Sequence, residues 1–206
     1  MIKAVLFDFD GVLTTDKTGS QTTTRYLSNA TGVELSRLQS AFRKFNQALI
    51  LGKTTHEEIW DDLCSDIGRT LDIALLEAAF ESTPMSQRML SLARGIRAQC
   101  AVGIVTDNKK DRMDFLKNLH DLPSLFDPIV VSAEIGTDKG SPEIFEEALR
   151  RLRIKGDECV FIDNSPSNLI APRSLGMKTT YFDDETQDFK SLLAAMEDLG
   201  VRVGNA

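Results

Sequence analysis

The 206-residue sequence predicts an α/β fold, a doubly wound parallel sheet with a helical bundle inserted after its first strand. Three observations predict it. Beyond about residue 84, short apolar runs alternate with amphipathic helical patterns. Residues 15–83 carry helical periodicity and no strong strand run. The opening run Ala4-Val5-Leu6-Phe7-Asp8-Phe9-Asp10-Gly11 ends in two carboxylates one residue apart.

The elements follow in order. Val5, Leu6, Phe7 and Phe9 read as a buried first strand. Within 15–83, apolar residues recur at three and four: Leu35, Leu38, Phe42, Phe45 and Leu49, then Ile59, Trp60, Leu63 and Ile67, then Leu71, Leu75, Leu76 and Ala79. Breaks fall at Thr31-Gly32, Leu51-Gly52-Lys53 and Gly68, and Thr54-Thr55-His56-Glu57-Glu58 reads as a capped helix start. Helical patterns over 85–99, 112–119, 142–152, 166–175 and 186–199 then alternate with runs at 101–106, 129–132, 158–163 and 177–182. Pro142 suits a first turn, and Gly176 and Gly200 suit C-terminal caps. Continuous apolar strands of this kind belong in a parallel sheet covered on both faces. Residues 1–14 and 84–206 are thus expected to form the core, and 15–83 a helical cap.

Composition limits the partners. Net charge is −7 and the pI near 4.9. Such a balance argues against a nucleic-acid backbone or an anionic membrane as main partner, and leaves open a small anionic substrate held by local cations. Cys64, Cys100 and Cys159 are far apart and form no paired motif, so neither a disulfide framework nor a zinc site is expected. No run is long enough to span a bilayer, and Asp8 cuts the N-terminal run short of a signal peptide. A cytoplasmic protein is expected, as a monomer or homodimer.

Ligands of an open parallel sheet bind at the carboxyl ends of its strands. Those ends carry Asp8 and Asp10, then Thr106-Asp107-Asn108, then Glu134 to Lys139, then Asp163-Asn164. Two acids so close together call for a cation, and Mg²⁺ prefers oxygen ligands. A carboxylate beside a cation can attack phosphorus, and a hydroxyl and a lysine can stabilise phosphoryl oxygens.

Asp8-Phe9-Asp10-Gly11-Val12-Leu13, Ile104-Val105-Thr106-Asp107-Asn108, Lys139-Gly140-Ser141-Pro142-Glu143-Ile144-Phe145 and Phe161-Ile162-Asp163-Asn164-Ser165 stand in order along the chain. Together they resemble the four motifs of haloacid-dehalogenase-superfamily phosphatases with a helical (C1) cap and a Rossmann-like core. The resemblance implies a Mg²⁺-dependent phosphomonoester hydrolase working through an aspartyl-phosphate. Asp8 is then the nucleophile. Asp10 is the acid/base and needs a raised pKa, while its backbone carbonyl binds metal. Thr106 and Lys139 hold the phosphoryl group. Asp107 and Asn108 join Thr106 and Lys139 as substrate contacts, and Asn108 alternatively caps the next helix. Asp8, Asp10, Asp163 and Asn164 are the metal-ligand set. Asn164 departs from the family pattern, where many relatives carry a second acid, and which of Asp163 and Asn164 touches the metal stays open. Asn168 caps or braces its loop.

His56 and His120 read as structural or exposed, Trp60 and Phe45 as core of the insert, and Arg43, Lys44 and Lys53 as a solvated face from which one could reach a substrate's distal group. The expected substrate is a small phosphorylated metabolite, a sugar phosphate first. The alternatives are a sugar phosphomutase of the same superfamily and a catalytically weak phosphate- and Mg²⁺-binding protein.

Overall fold

A computed structural model describes residues 1–202; the last four residues of the expected core segment 84–206 lie outside the described residues. Five strands form one parallel sheet: β1 (Ala4–Phe7), β2 (Ala101–Thr106), β3 (Ile129–Val131), β4 (Cys159–Asp163) and β5 (Lys178–Tyr181). Their order is β3-β2-β1-β4-β5. The chain reverses direction across the sheet at β1, so the end of β1 lies at the topological switch point. Phe7 pairs with Ile104 on one side and Ile162 on the other.

The helices are α1 (Gly19–Thr31), α2 (Leu35–Ile50), α3 (His56–Ile67), α4 (Leu75–Glu81), α5 (Gln87–Arg97), α6 (Lys110–Leu119), the single turns α7 (Leu122–Leu125) and α8 (Ser132–Ile135), α9 (Glu143–Leu152), α10 (Ile170–Ser174) and α11 (Phe189–Asp198). Alternation along each strand sends side chains to two cores. Val5, Phe7, Val160 and Ile162 pack with α5, α6 and α11, whereas Ala4, Leu6, Cys159 and Phe161 pack with α9 and α10. Helices α1–α4 have a core of their own around Leu38, Phe42, Trp60, Leu63 and Phe80. The segments entering and leaving this insert are joined by an antiparallel bridge between Thr14 and Met85.

The expected α3 start is a complete capping box. Thr55 Oγ1 accepts from Glu58 N–H at 3.2 Å, and Glu58 accepts from Thr55 N–H at 2.9 Å. Two local features differ from the sequence reading. The first strand stops at Phe7, and Phe9–Leu13 forms a wide helical turn. Asp8 Oδ1 accepts the Phe9 N–H at 2.7 Å and so ends the strand, while Gly11 turns at φ 79°. Helix α1 has no counterpart in the apolar pattern because its buried face includes Thr22, Thr23 and Thr24. Thr22 and Thr24 satisfy their hydroxyls locally, on Asp16 Oδ2 and the Ser20 carbonyl, both at 2.8 Å.

Candidate active site

The β1–β4 ladder continues one residue past the strand, with Asp8 N–H donating to the Ile162 carbonyl at 2.8 Å. This fixes the Asp8 backbone beside Asp163. Lys139 reaches in from the loop after α8, held where its N–H donates to Asp107 Oδ1 at 2.9 Å. Its Nζ lies 2.8 Å from Asp8 Oδ1 and 2.7 Å from Asp163 Oδ2. Oδ1 of Asp8 therefore takes both the ammonium and the Phe9 N–H, and among the described residues Oδ2 has no hydrogen-bond donor.

Burial sets the electrostatics. It pushes the Asp8 carboxyl well above the ordinary range; Lys139 opposes this, and Asp163 and Asp10 add to it. Burial would depress Lys139, but Asp8, Asp163 and Asp107 outweigh it and hold the ammonium above its usual value. Asp107 is raised by burial against the pull of Lys139.

A cavity of about 730 Å³ opens between this sheet edge and the insert. Asp8, Asp10, Thr106, Asp107, Lys139 and Asn164 line its core side; Ser20, Gln39, Phe42, Arg43 and Asn46 line its insert side. Most of the sequence-predicted site residues thus meet in one place. Two do not stand where expected. Asn108 is fully buried and off the cavity wall. It donates to Asp10 Oδ2 at 2.9 Å and accepts from Arg112 and from Lys109 N–H, so it braces the site rather than meeting a substrate. Asp163 is also fully buried and off the wall. Its oxygens are taken by Lys139, Ser165 N–H and Asn168 Nδ2. Of the Asp163-Asn164 pair, only Asn164 lines the cavity.

The residues fit a hard cation. Two buried carboxylates share one ammonium, leaving excess negative charge, and the Asn164 amide lines the cavity with Asp8. No cluster of three acidic, His or Cys side chains suited to a metal occurs among the described residues, and the residue of the Asp163-Asn164 pair at the cavity wall is the neutral Asn164. That amide also explains Gly11: a Cβ there would lie 2.1 Å from Asn164 Nδ2.

Asp10 is engaged from the other side. Arg112 donates from both terminal nitrogens, to Asp10 Oδ2 and Oδ1, each at 2.9 Å. One guanidinium thus grips both Asp10 oxygens in a bidentate pair. Arg112 was legible only as the start of a helix. Its signal is a cation four residues after Asn108, on the same face of α6 as Met113 and Leu116. Lys109, which no sequence motif singles out, is buried, lines the cavity and donates to Ser20 Oγ at 2.9 Å.

Outside the motifs, His56 is buried rather than exposed, with Nδ1 2.7 Å from Asp111 Oδ2 and its ring between Phe42 and Phe80. Lys44 pairs with Asp66, while Arg43 lines the cavity.

A family model for haloacid dehalogenase-like hydrolases matches residues 2–176, and the chain belongs to that family. It is 26% identical over 213 residues to bifunctional epoxide hydrolase 2 of Rattus norvegicus, covering 93% of this chain and 38% of that protein. The chain thus spans well under half the length of that relative. It is 28% identical over 189 residues to a sesquiterpene phosphatase of Aspergillus oryzae, covering 88% of this chain and 90% of the relative. A haloacid dehalogenase family enzyme of Bacteroides thetaiotaomicron, solved with magnesium and inorganic phosphate, superposes with a TM-score of 0.70 at 20% identity, covering 93% of this chain and 99% of that one. The same enzyme is also solved as a magnesium complex. No helix among the described residues is long and apolar enough to cross a membrane.

Proposed function

We propose that the chain is a Mg²⁺-dependent phosphomonoester hydrolase that works through an aspartyl-phosphate on Asp8, with residues 15–83 as its helical cap. One observation carries the reading. Asp8 presents one oxygen fixed by Lys139 and the Phe9 N–H and another that takes no hydrogen bond among the described residues, at a cavity that Asp10 also lines. The phosphatase named among the relatives and the magnesium and phosphate in the Bacteroides structure support it.

Asp8, the Asp10 carbonyl and Asn164 would hold Mg²⁺, which supplies charge stabilisation for the phosphoryl oxygens when bound. In the first half-reaction Asp8 Oδ2 bonds to phosphorus as the phosphorus–alcohol oxygen bond breaks, and the departing oxygen takes a proton from Asp10. In the second, water adds to phosphorus, gives its proton to Asp10, and the bond to Asp8 breaks, releasing phosphate. Lys139 and Thr106 hold phosphoryl oxygens throughout. Arg112 holds both Asp10 oxygens before the first step.

A cavity of about 730 Å³ accommodates a small metabolite, and Ser20, Gln39 and Asn46 suit the hydroxyls of a sugar phosphate. Lys109 and Arg43, on the wall beside them, favour a substrate with a second acidic group. That is the observation behind the second reading, a sugar phosphomutase that retains a bisphosphate.

The test is phosphate release from a panel of phosphorylated metabolites, with Mg²⁺ and with EDTA. Mg²⁺-dependent release from one compound class supports the hydrolase. Conversion of a sugar monophosphate to its isomer, needing trace bisphosphate, supports the mutase. Neither outcome, with phosphate still bound, leaves only a binding protein.

A further inference from the structure

Arg112 is an arginine with 1% of its surface exposed, a state charged side chains reach only when paired. Besides Asp10 it contacts Asn108 Oδ1 at 3.0 Å and Thr83 Oγ1 at 3.3 Å. Its remaining face is closed by Gly19, where a Cβ would sit 2.3 Å from the guanidinium carbon. Gly19 is the first residue of α1 and Thr83 follows α4. The two connections of the insert therefore meet on the group that grips Asp10.

The neighbours of Arg112 on the same helix start repeat the pattern. Lys109 Nζ donates to Ser20 Oγ at 2.9 Å, and Asp111 Oδ2 lies 2.7 Å from Nδ1 of His56 on α3. The N-terminal end of α6 is thus the seat of the insert, and Arg112 is the part of that seat joined to the reacting groups.

We propose that Arg112 is the positioning residue of Asp10 and ties the placement of that carboxylate to the seating of the insert. The inference rests on the phosphatase reading. With α1 seated, the guanidinium is dry and the pair strong, so Asp10 is held at the cavity wall. Lifting α1 off Gly19's contact admits water to the guanidinium and weakens the pair.

The test uses p-nitrophenyl phosphate with Mg²⁺. Its leaving group departs without a proton, so formation of the phosphoenzyme needs Asp10 little, whereas hydrolysis of the phosphoenzyme needs it fully. Arg112→Lys keeps the charge and loses the bidentate grip. It is expected to lower steady-state turnover roughly tenfold or more, with KM little changed and a burst approaching about one equivalent of p-nitrophenolate as phosphoenzyme accumulates. Asp10→Asn shows the same burst, and adding Arg112→Lys to it costs nothing further, since both act through one carboxylate. Gly19→Ala keeps both residues but puts a Cβ 2.3 Å from the guanidinium carbon, so Arg112 must shift; it gives a weaker form of the same burst and covers the case in which Arg112→Lys does not fold. Wild-type turnover that needs Mg²⁺ and fails in Asp8→Asn, together with no burst in the variants or with fully additive losses, overturns the role of Arg112 alone. A wild-type protein that releases no p-nitrophenolate overturns the hydrolase reading, and the positioning role with it.

Discussion

Lys139 Nζ bridges Asp8 and Asp163, 2.8 Å from one carboxylate and 2.7 Å from the other. Both acids are buried, so each would face the full cost of desolvation alone. One ammonium offsets both and adds a hydrogen bond to each. The bridge also sorts the roles of the two acids. Asp163 is saturated by Lys139, Ser165 and Asn168 and serves to orient the lysine. Asp8 keeps an oxygen without a donor and faces the cavity.

Removing the bridge leaves two buried carboxylates without their cation. Lys139→Met is expected to cost about 3–5 kcal/mol of stability as well as activity, measured by urea denaturation. The sign of its pH dependence follows from Asp8, whose carboxyl is raised by burial with only Lys139 as the main opposing influence. A raised carboxyl contributes stability at low pH and loses it as pH rises through the folded value. The stability gap between variant and wild type therefore narrows toward acid pH. A gap independent of pH would remove the bridge from the account.

Asp8→Asn removes the nucleophile and one charge of a crowded buried site. Turnover is expected to fall by on the order of 10³ or more, with no phosphoenzyme formed. The far-ultraviolet spectrum and melting temperature are expected to stay close to wild type. Phosphatase activity at the wild-type level would place the nucleophile elsewhere.

The sheet and the site edge were legible because burial on both faces writes continuous apolar runs, and the carboxylates sit where those runs stop. The end of β1 was less legible: Phe9 is as buried as Phe7, yet the Asp8 side chain captures its N–H and turns the chain. Helix α1 was hidden because threonines, not aliphatics, form much of its buried face. The division of labour between Asp163 and Asn164 is not written in the sequence, since adjacent residues at a strand end point to opposite sides and only the packing around them decides which faces the cavity. Arg112 and Lys109 were hidden for a related reason. In sequence they look like solvated charges at a helix start, and only the insert packed over them makes them interior.

Asn164 at the cavity wall supplies a neutral oxygen, while Asp8 supplies a carboxylate oxygen that takes no hydrogen bond among the described residues. Asn164→Asp is expected to tighten Mg²⁺ binding by on the order of tenfold, as an added charge partly screened by its surroundings would. Calorimetric titration of Mg²⁺ into the phosphate-free protein measures this without turnover. Unchanged affinity would mean that residue 164 does not meet the metal.

Lys109 offers a test with two opposite signs. Burial first, and then Arg112, bring its ammonium down from 10.5 to about 8, while Asp10, Asp111 and Asp107 partly oppose them. From α1, Ser20 adds a neutral hydroxyl to its surroundings. As pH rises through about 8 the cavity loses a positive charge. For a substrate with a second acidic group, kcat/KM is expected to fall over that range, because this ratio reports groups of the free enzyme. Folding responds the other way. Between about 8 and 10.5 the unfolded chain binds more protons at this position, so the Lys109 contribution to stability rises with pH. Lys109→Met is expected to remove both trends, leaving kcat/KM uniformly low for the diacidic substrate and little altered for a neutral-tailed one. Paired pH profiles of kcat/KM and of melting temperature, wild type against Lys109→Met, measure the two signs in one series. A variant that keeps the wild-type fall in kcat/KM above pH 8 would assign that titration to another group and take Lys109 out of substrate selection.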